Sequence, residues 1–427
     1  MLRFPVKPVA FILLLLYGMI VTGVAGCSPE EGPAHIPEGK KVYAQPAEQV
    51  DSRLVKGNTA FALDLFLALY REEPEENIFI SPASVSLALA MTYNGAVGKT
   101  AEAMERVLGF KDMSREEINS AFADLRTILQ NPDPKVELAL ANSLWVRQGE
   151  EFYEEFLQQN RDYFDARVET LDFGSREAAR VINRWVEGQT NGKIKDLIEP
   201  PIDPLTVMFL INAIYLNAEW AESFDPNLTR EILFYLPGGA KKEHPVMFRD
   251  GTFQYMSGEG FQAVALPYGK NNRIAMYLFL PAPEQTLADF YRQMEGDIWD
   301  SWLGSFQESG GTVGLPRFKY EYESSLNDGL QSLGMEIAFD PNHADFSGMR
   351  PLPPELFIAE VKHKAFVEVN EEGIEAAAAT SVEVGCTSAG PDPERFSMII
   401  NRPFFFSIVD QMTGSILFMG SVVEPQL

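Results

Sequence analysis

Cysteine, histidine and positive charge are all scarce in this chain, and each shortage removes a class of function. The 427 residues include 2 Cys, 4 His and 35 Lys plus Arg, set against 61 Asp plus Glu. A net charge of −26 argues against nucleic acid, anionic membrane surfaces and polyanions as partners, since phosphates and acidic headgroups need a cationic face. His35, His244, His343 and His363 form no HExxH pair or other tight ligand spacing, so no metal and no cofactor is expected. No Ser has Gly at both i−2 and i+2, and no Ser-x-x-Lys occurs, which removes two common nucleophile arrangements. Gly95-Ala-Val-Gly98-Lys99-Thr100 ends like a phosphate loop, but Tyr93 stands where the first Gly is needed, and a helix precedes it. The chain is therefore not read as an enzyme.

What the chain does have is apolar bulk. A hydrophobic fraction of 46% with 30 Phe permits a sizeable core. No Pro/Gly/Ser linker divides residues 53–427, so one domain is expected there. Ahead of it, Arg3 and Lys7 precede an apolar run from Pro8 to Val24, ending in Val24-Ala25-Gly26-Cys27. That ending resembles the lipobox of bacterial lipoproteins, in which the Cys is lipidated after cleavage. An ordinary signal peptide or an uncleaved anchor helix is the competing reading. The expected division is a leader over residues 1–26, a tether rich in Pro, Glu and Gln over 27–52, and a body over 53–427. On this reading Cys27 carries lipid and anchors the chain at the cell envelope, outside the cytoplasm. Cys386 is then a lone thiol, with no intramolecular disulfide available. The Asn227-Leu-Thr229 sequon is read as chance in such a protein.

Along the body, Thr59–Tyr70 reads as a helix, Ser81-Pro82 caps and opens another, and residues 114–130 and 175–190 have helical periodicity. Val136–Val146 alternates as a strand, and the apolar run Val207–Tyr215 reads as a central strand buried on both faces. Ala263–Pro267, Ile274–Leu280, Phe357–Val369, Phe404–Val409 and Ile416–Val422 also look like strands. Helices come mostly early and strands mostly late, which predicts an α+β fold. His363 shares a strand face with Val361, Ala365, Val367 and Val369 and is expected to be buried; the other histidines read as surface or tether residues.

Residues 371–386, Glu-Glu-Gly-Ile-Glu-Ala-Ala-Ala-Ala-Thr-Ser-Val-Glu-Val-Gly-Cys, carry two readings. Their Ala and Glu favour a surface helix or an Ala-rich linker. Their alternation places Ile374, Ala376, Ala378, Thr380, Val382 and Val384 on one face of an extended chain, as a half-buried strand requires. Local pattern leaves both open.

Several segments together resemble the serpin family. They are Asn77-Ile-Phe-Ile-Ser81-Pro82-Ala-Ser84-Val, Phe209-Leu-Ile-Asn212-Ala-Ile-Tyr with the downstream Trp220, and His244-Pro-Val-Met-Phe. Leu315-Pro-Arg-Phe-Lys, Ala344-Asp-Phe-Ser-Gly348, Val361-Lys-His363-Lys-Ala, Arg402-Pro-Phe-Phe-Phe and Phe418-Met-Gly-Ser-Val-Val-Glu-Pro425 complete the set in family order. The resemblance implies one serpin domain, with helices packed on a large central β-sheet, further sheets and an exposed reactive loop at about 371–395. It implies a monomer that traps an endopeptidase. The protease cuts the loop and forms an acyl-enzyme, and the freed loop enters the main sheet as a new strand before the ester hydrolyses. About thirteen to fifteen inserted residues at ~3.3 Å each would carry the protease roughly 45 Å.

By the same resemblance, Glu371, Glu372, Gly373, Ile374, Glu375, Ala376, Ala377, Ala378 and Ala379 form the hinge. Ser81, Ser84, Asn212 and His363 form the shutter, a polar cluster beneath the sheet, and Trp220 sits at the breach where insertion begins; ordinary satisfied core packing is the competing role for each. The reactive bond falls between Thr387 and Ser388, or between Cys386 and Thr387 if the loop is one residue shorter. A small uncharged residue at the cut suggests an elastase-like or subtilisin-like serine protease, or a papain-like cysteine protease, and disfavours trypsin-like targets. Ile374 stands where the family usually has Thr or another small residue, so its bulk is expected to slow insertion, and Ile374→Thr to lower the inhibitor used per protease. Cys386 beside the bond is expected to make inhibition redox-sensitive. A non-inhibitory serpin, cleaved only as a substrate or acting by binding, is the main alternative; a solute-binding lipoprotein and a hydrolase are the others.

Overall fold

Helices begin where the sequence supplies a side-chain cap. The computed structural model describes residues 9–17, 50–130, 132–294, 298–353, 355–374 and 395–427. The Asp51 carboxylate accepts from the Arg53 amide at the start of α1 (Ser52–Glu72). Ser81 caps α2 (Pro82–Tyr93), with Pro82 in the first turn, where a missing N–H costs nothing. Gly98 opens α3 (Gly98–Val107) with a positive φ of 53°. A reciprocal Ser114–Glu117 capping box starts α4 (Arg115–Leu129). Then come α5 (Glu154–Phe164) and α6 (Arg176–Gln189), the latter capped by Ser175. Nearly every residue of α2 is buried, so this helix runs inside the core rather than along its surface.

The strands in chain order begin with β1 (Val9–Tyr17), β2 (Ile78–Ile80), β3 (Val136–Arg147), β4 (Arg167–Leu171) and β5 (Thr206–Glu219). Next are β6 (Arg230–Tyr235), β7 (Lys241–Gly258), β8 (Phe261–Tyr268), β9 (Ile274–Pro281), β10 (Gln307–Pro316) and β11 (Phe318–Ser325). The last are β12 (Leu356–Val369), β13 (Gly373–Ile374), β14 (Phe396–Ile399), β15 (Phe404–Asp410) and β16 (Ser415–Val422).

Two sheets share one hydrophobic core. The main sheet runs β11–β12, then a gap shared by β1 and β13, then β5–β3–β4. The second runs β14–β10–β7–β8–β9–β15–β16–β2, with β6 beside β7. β5 is buried from Thr206 through Leu216, as its apolar run predicts for a strand covered on both faces. β13 pairs antiparallel with both β12 and β5, whereas β1 is parallel to both. β7 and β10 escaped the sequence reading because β7 carries Lys241, Lys242, Glu243, Arg249 and Asp250, and β10 carries three glycines. Their ladder to each other, from Gln307↔Tyr255 to Pro316↔Val246, holds them instead of an apolar alternation.

One histidine corrects the sequence reading. His244, expected at the surface, is 3% exposed. Its Nε2 lies 2.5 Å from the Arg317 carbonyl, and burial lowers its pKa. His343 is exposed and bridged to Asp340, as expected of a surface residue.

A strand slot, its hinge and its polar floor

At the top of the gap in the main sheet the chain makes a tight reversal. The Asn370 side-chain oxygen accepts from the Glu372 amide at 2.9 Å and the Gly373 amide at 3.2 Å, while the Asn370 amide donates to the Gly373 carbonyl at 3.0 Å. Gly373 has φ of 147°, and a Cβ there would lie 2.1 Å from the Ala218 carbonyl oxygen. Only glycine lets the chain approach β5 so closely. The next residue, Ile374, pairs with Val369 on β12 and Ala218 on β5, fully buried. The residue expected to resist entry is thus already inside the sheet. Its branched side chain suits the strand it occupies.

Glu371 anchors this reversal. Arg317 donates from Nε to both carboxylate oxygens at 2.9 Å and from Nη2 to one at 2.5 Å, and Thr229 Oγ1 adds a further bond. Burial opposes the charge on Glu371, but the bonds from Arg317 and then Thr229 outweigh it and hold its pKa below the usual glutamate value. The Phe224 amide donates to the Glu371 carbonyl and the Trp220 amide to the Glu372 carbonyl, each at 2.9 Å. Trp220 is buried, stacks on Tyr268 with ring centroids 4.3 Å apart, and donates from Nε1 to the Asn370 carbonyl at 2.9 Å. Trp220 thus packs in the core directly against the reversal that leads into β13.

Lower in the slot lies the polar cluster. Ser81, Ser84, Asn212 and His363 are all fully buried, and the structure brings the four together. Ser81 Oγ donates to the Leu417 carbonyl at 2.7 Å and accepts from the Ser84 amide at 3.3 Å. Ser84 Oγ donates to the Asn212 side-chain oxygen, and the Ser81 amide faces His363 Nε2 at 3.4 Å. Burial drives the His363 pKa down to about 3, against a weaker opposing contact with the Phe79 backbone, so the ring is neutral near pH 7. Its neutral Nε2 is in place to accept from the Ser81 amide.

The cluster extends beyond the residues picked out from the sequence. Asn212 donates to the Asn142 side-chain oxygen at 2.6 Å, and Asn142 donates in turn to the Phe164 carbonyl at 2.7 Å. A chain of bonds thus ties α2 through β5 and β3 to the end of α5. Asn142 was detectable: it follows Leu138 and Leu140 on one strand face, a polar residue where the alternation calls for an apolar one.

Glu375, Ala376, Ala377, Ala378, Ala379, Cys386, Thr387 and Ser388 lie outside the described residues, as do His35 and Cys27. Among the described residues no group of His, Cys, Asp and Glu could hold a metal, and no helix is long and apolar enough to cross a membrane.

Comparison with known proteins agrees with this architecture. The family model described as serpin (serine protease inhibitor) matches residues 56–425. Human Serpin B11 is 34% identical over 394 residues, covering 87% of this chain and 99% of the relative. The crystal structure of the thermophilic serpin tengpin in its native state superposes with a TM-score of 0.80 at 33% identity, covering 90% of this chain and 97% of tengpin. Human thyroxine-binding globulin complexed with its hormone superposes with a TM-score of 0.79 at 28% identity, over 88% and 99% of the two chains. The chain has the α+β architecture of a single serpin domain and belongs to the serpin family.

Proposed function

We propose that this serpin is a suicide-type inhibitor of serine endopeptidases, and of cysteine endopeptidases that share their small-residue preference. It acts as the trap rather than as a catalyst. A single observation carries the reading: Gly373 and Ile374 have already entered between β12 and β5, antiparallel to both, at the head of a slot that continues down the sheet. Cleavage between Thr387 and Ser388, or between Cys386 and Thr387, would free the loop to continue along that register. The alanines 376–379 offer little bulk to strands that must part. Glu371 and its Arg317 bond keep the pivot fixed while the rest moves. Since Ile374 is in place before any cut, its size bears on hinge stability more than on the entry step.

In this reading the chain is a monomer, anchored by lipid at Cys27 to the bacterial cell envelope and facing outside the cytoplasm, with residues 27–52 as the tether. The lipobox-like Val24-Ala25-Gly26-Cys27 supports that placement. The test is a denaturing gel of the purified chain with elastase-like, subtilisin-like, papain-like and trypsin-like proteases. A stable adduct with at least one small-residue-preferring protease is expected, with a released fragment starting at Ser388 or Thr387. Cleavage without adduct by every one of them contradicts the proposal.

A second reading is binding without inhibition. It draws on the similarity to thyroxine-binding globulin and on a cavity of about 650 Å³ lined by Lys56, Asp64, Arg71, Tyr291, Arg292 and Trp299. A carrier of this kind would show no rise in melting midpoint after its loop is cut.

A further inference from the structure

We propose that the N-terminal segment Val9–Tyr17 is a plug for the insertion slot, closing it to the chain's own loop until the segment leaves. The inference rests on the insertion reading above. β1 fills the gap below β13, pairing with β12 from Val9↔Leu356 to Leu16↔Lys364 and with β5 from Ala10↔Thr206 to Tyr17↔Ile214. Leu15 stands opposite both Asn212 and His363, so the plug crosses the polar floor of the slot.

Register makes the two occupants mutually exclusive. Extending the β13 ladder down β5 brings Ala378 to Ile214 and Cys386 to Thr206, positions held by Tyr17 and Ala10. Extending it down β12 brings Ala379 to Lys364 and Thr387 to Leu356, positions held by Leu16 and Val9. The stretch of β5 and β12 that the loop would need is therefore already paired, apart from the register shifts that pass over Val207 and Ala359.

The sequence suits the plug. Val-Ala-Phe-Ile-Leu-Leu-Leu-Leu-Tyr has no charge, Pro or Gly within it, and Pro8 and Gly18 bound it. Continuous apolar runs of this kind are what a strand covered on both faces reads as. Its parallel pairing is slightly weaker per residue than the antiparallel pairing the loop would make, so the plug blocks by prior occupancy and not by tighter binding. The segment falls within the leader expected over residues 1–26. A chain that keeps its leader is held inert, and removal of the leader opens the slot.

The test uses the full chain, expressed with its leader intact, beside the double variant Leu13→Pro/Leu15→Pro. Proline removes ladder donors and is not tolerated in a central strand, so the variant keeps the leader but cannot seat it. Both proteins are nicked in the loop, and melting midpoints are compared before and after. The variant should rise by about 10 °C or more and the parent by less than about 2 °C. Amide exchange over residues 10–16 of the parent should be protected before nicking. Equal rises in both proteins, or leader amides exchanging at free-peptide rates, overturn the plug and leave the insertion reading intact. A variant that does not rise removes the event the plug blocks, and with it the insertion reading.

Discussion

Asn212 on β5 and His363 on β12 stand level with each other across the slot, each opposite Leu15 of β1. Beneath them Ser84 bonds to Asn212 and Ser81 faces His363, so the two strands that flank β1 are linked through nearby serines of α2 and its cap. These bonds stand with β1 seated between the two strands, so the cluster ties both walls of the slot to α2 and its cap.

Ser84→Ala removes the donor to Asn212 and leaves its buried oxygen short of a partner. The native form should lose about 1–3 kcal/mol in urea unfolding. Unchanged stability would show that this bond does nothing to hold β5 against α2.

His363 makes stability depend on pH. Its pKa is about 3 when folded, against 6.5 for an ordinary histidine, so the unfolded chain binds the extra proton first. The stability tied to its neutral form is fully present above pH 6.5 and is lost as pH falls from 6.5 towards 3. The slope is at most about 1.4 kcal/mol per pH unit in that window. His363→Gln should flatten the dependence of the urea midpoint on pH between 6.5 and 4. An unchanged slope would mean the ring is protonated in the folded chain.

Arg317→Gln tests the anchor. The Arg317 side chain is 38% exposed and that of Glu371 only 6%, so the loss should fall between that of a surface pair and a buried one, about 1–2 kcal/mol. The folded Glu371 pKa lies below 4.5, so its contribution is present above that pH and lost as pH falls through the folded value. The gap between parent and variant should therefore close at acid pH. A gap that stays constant down to pH 3 would assign the effect to packing of the arginine stem.

Ile374→Asp places an unpaired charge where the native residue is fully buried. The hinge should be expelled from the sheet. Protease adducts should then fall at least tenfold while cleavage of the loop continues. Adducts at parental yield would show that entry at residue 374 is dispensable.

Parts of the main sheet could be read from local pattern, because β5 is covered on both faces and β12 alternates along much of its length. Val207–Tyr215 had to be central, and Ser81-Pro82 had to start a helix. What could not be read is what depends on residues far apart in the chain. The Arg317–Glu371 pair, the burial of His244 against the Arg317 carbonyl, and the Asn212–Asn142 bond all join elements that no window of sequence contains. β7 and β10 were invisible because pairing, not apolar alternation, defines them. The stretch starting at Glu371 stayed ambiguous between helix and strand because Ala and Glu favour one and alternation the other. At Gly373 and Ile374 the sheet decides, since β5 and β12 supply the partners.

Amide hydrogen exchange across residues 375–386, measured on leader-free chain before and after a single cut in the loop, tests insertion most directly. Insertion predicts that protection rises on the order of a thousandfold or more, to the level of core strands. Amides that exchange equally fast in cut and uncut chain would contradict it.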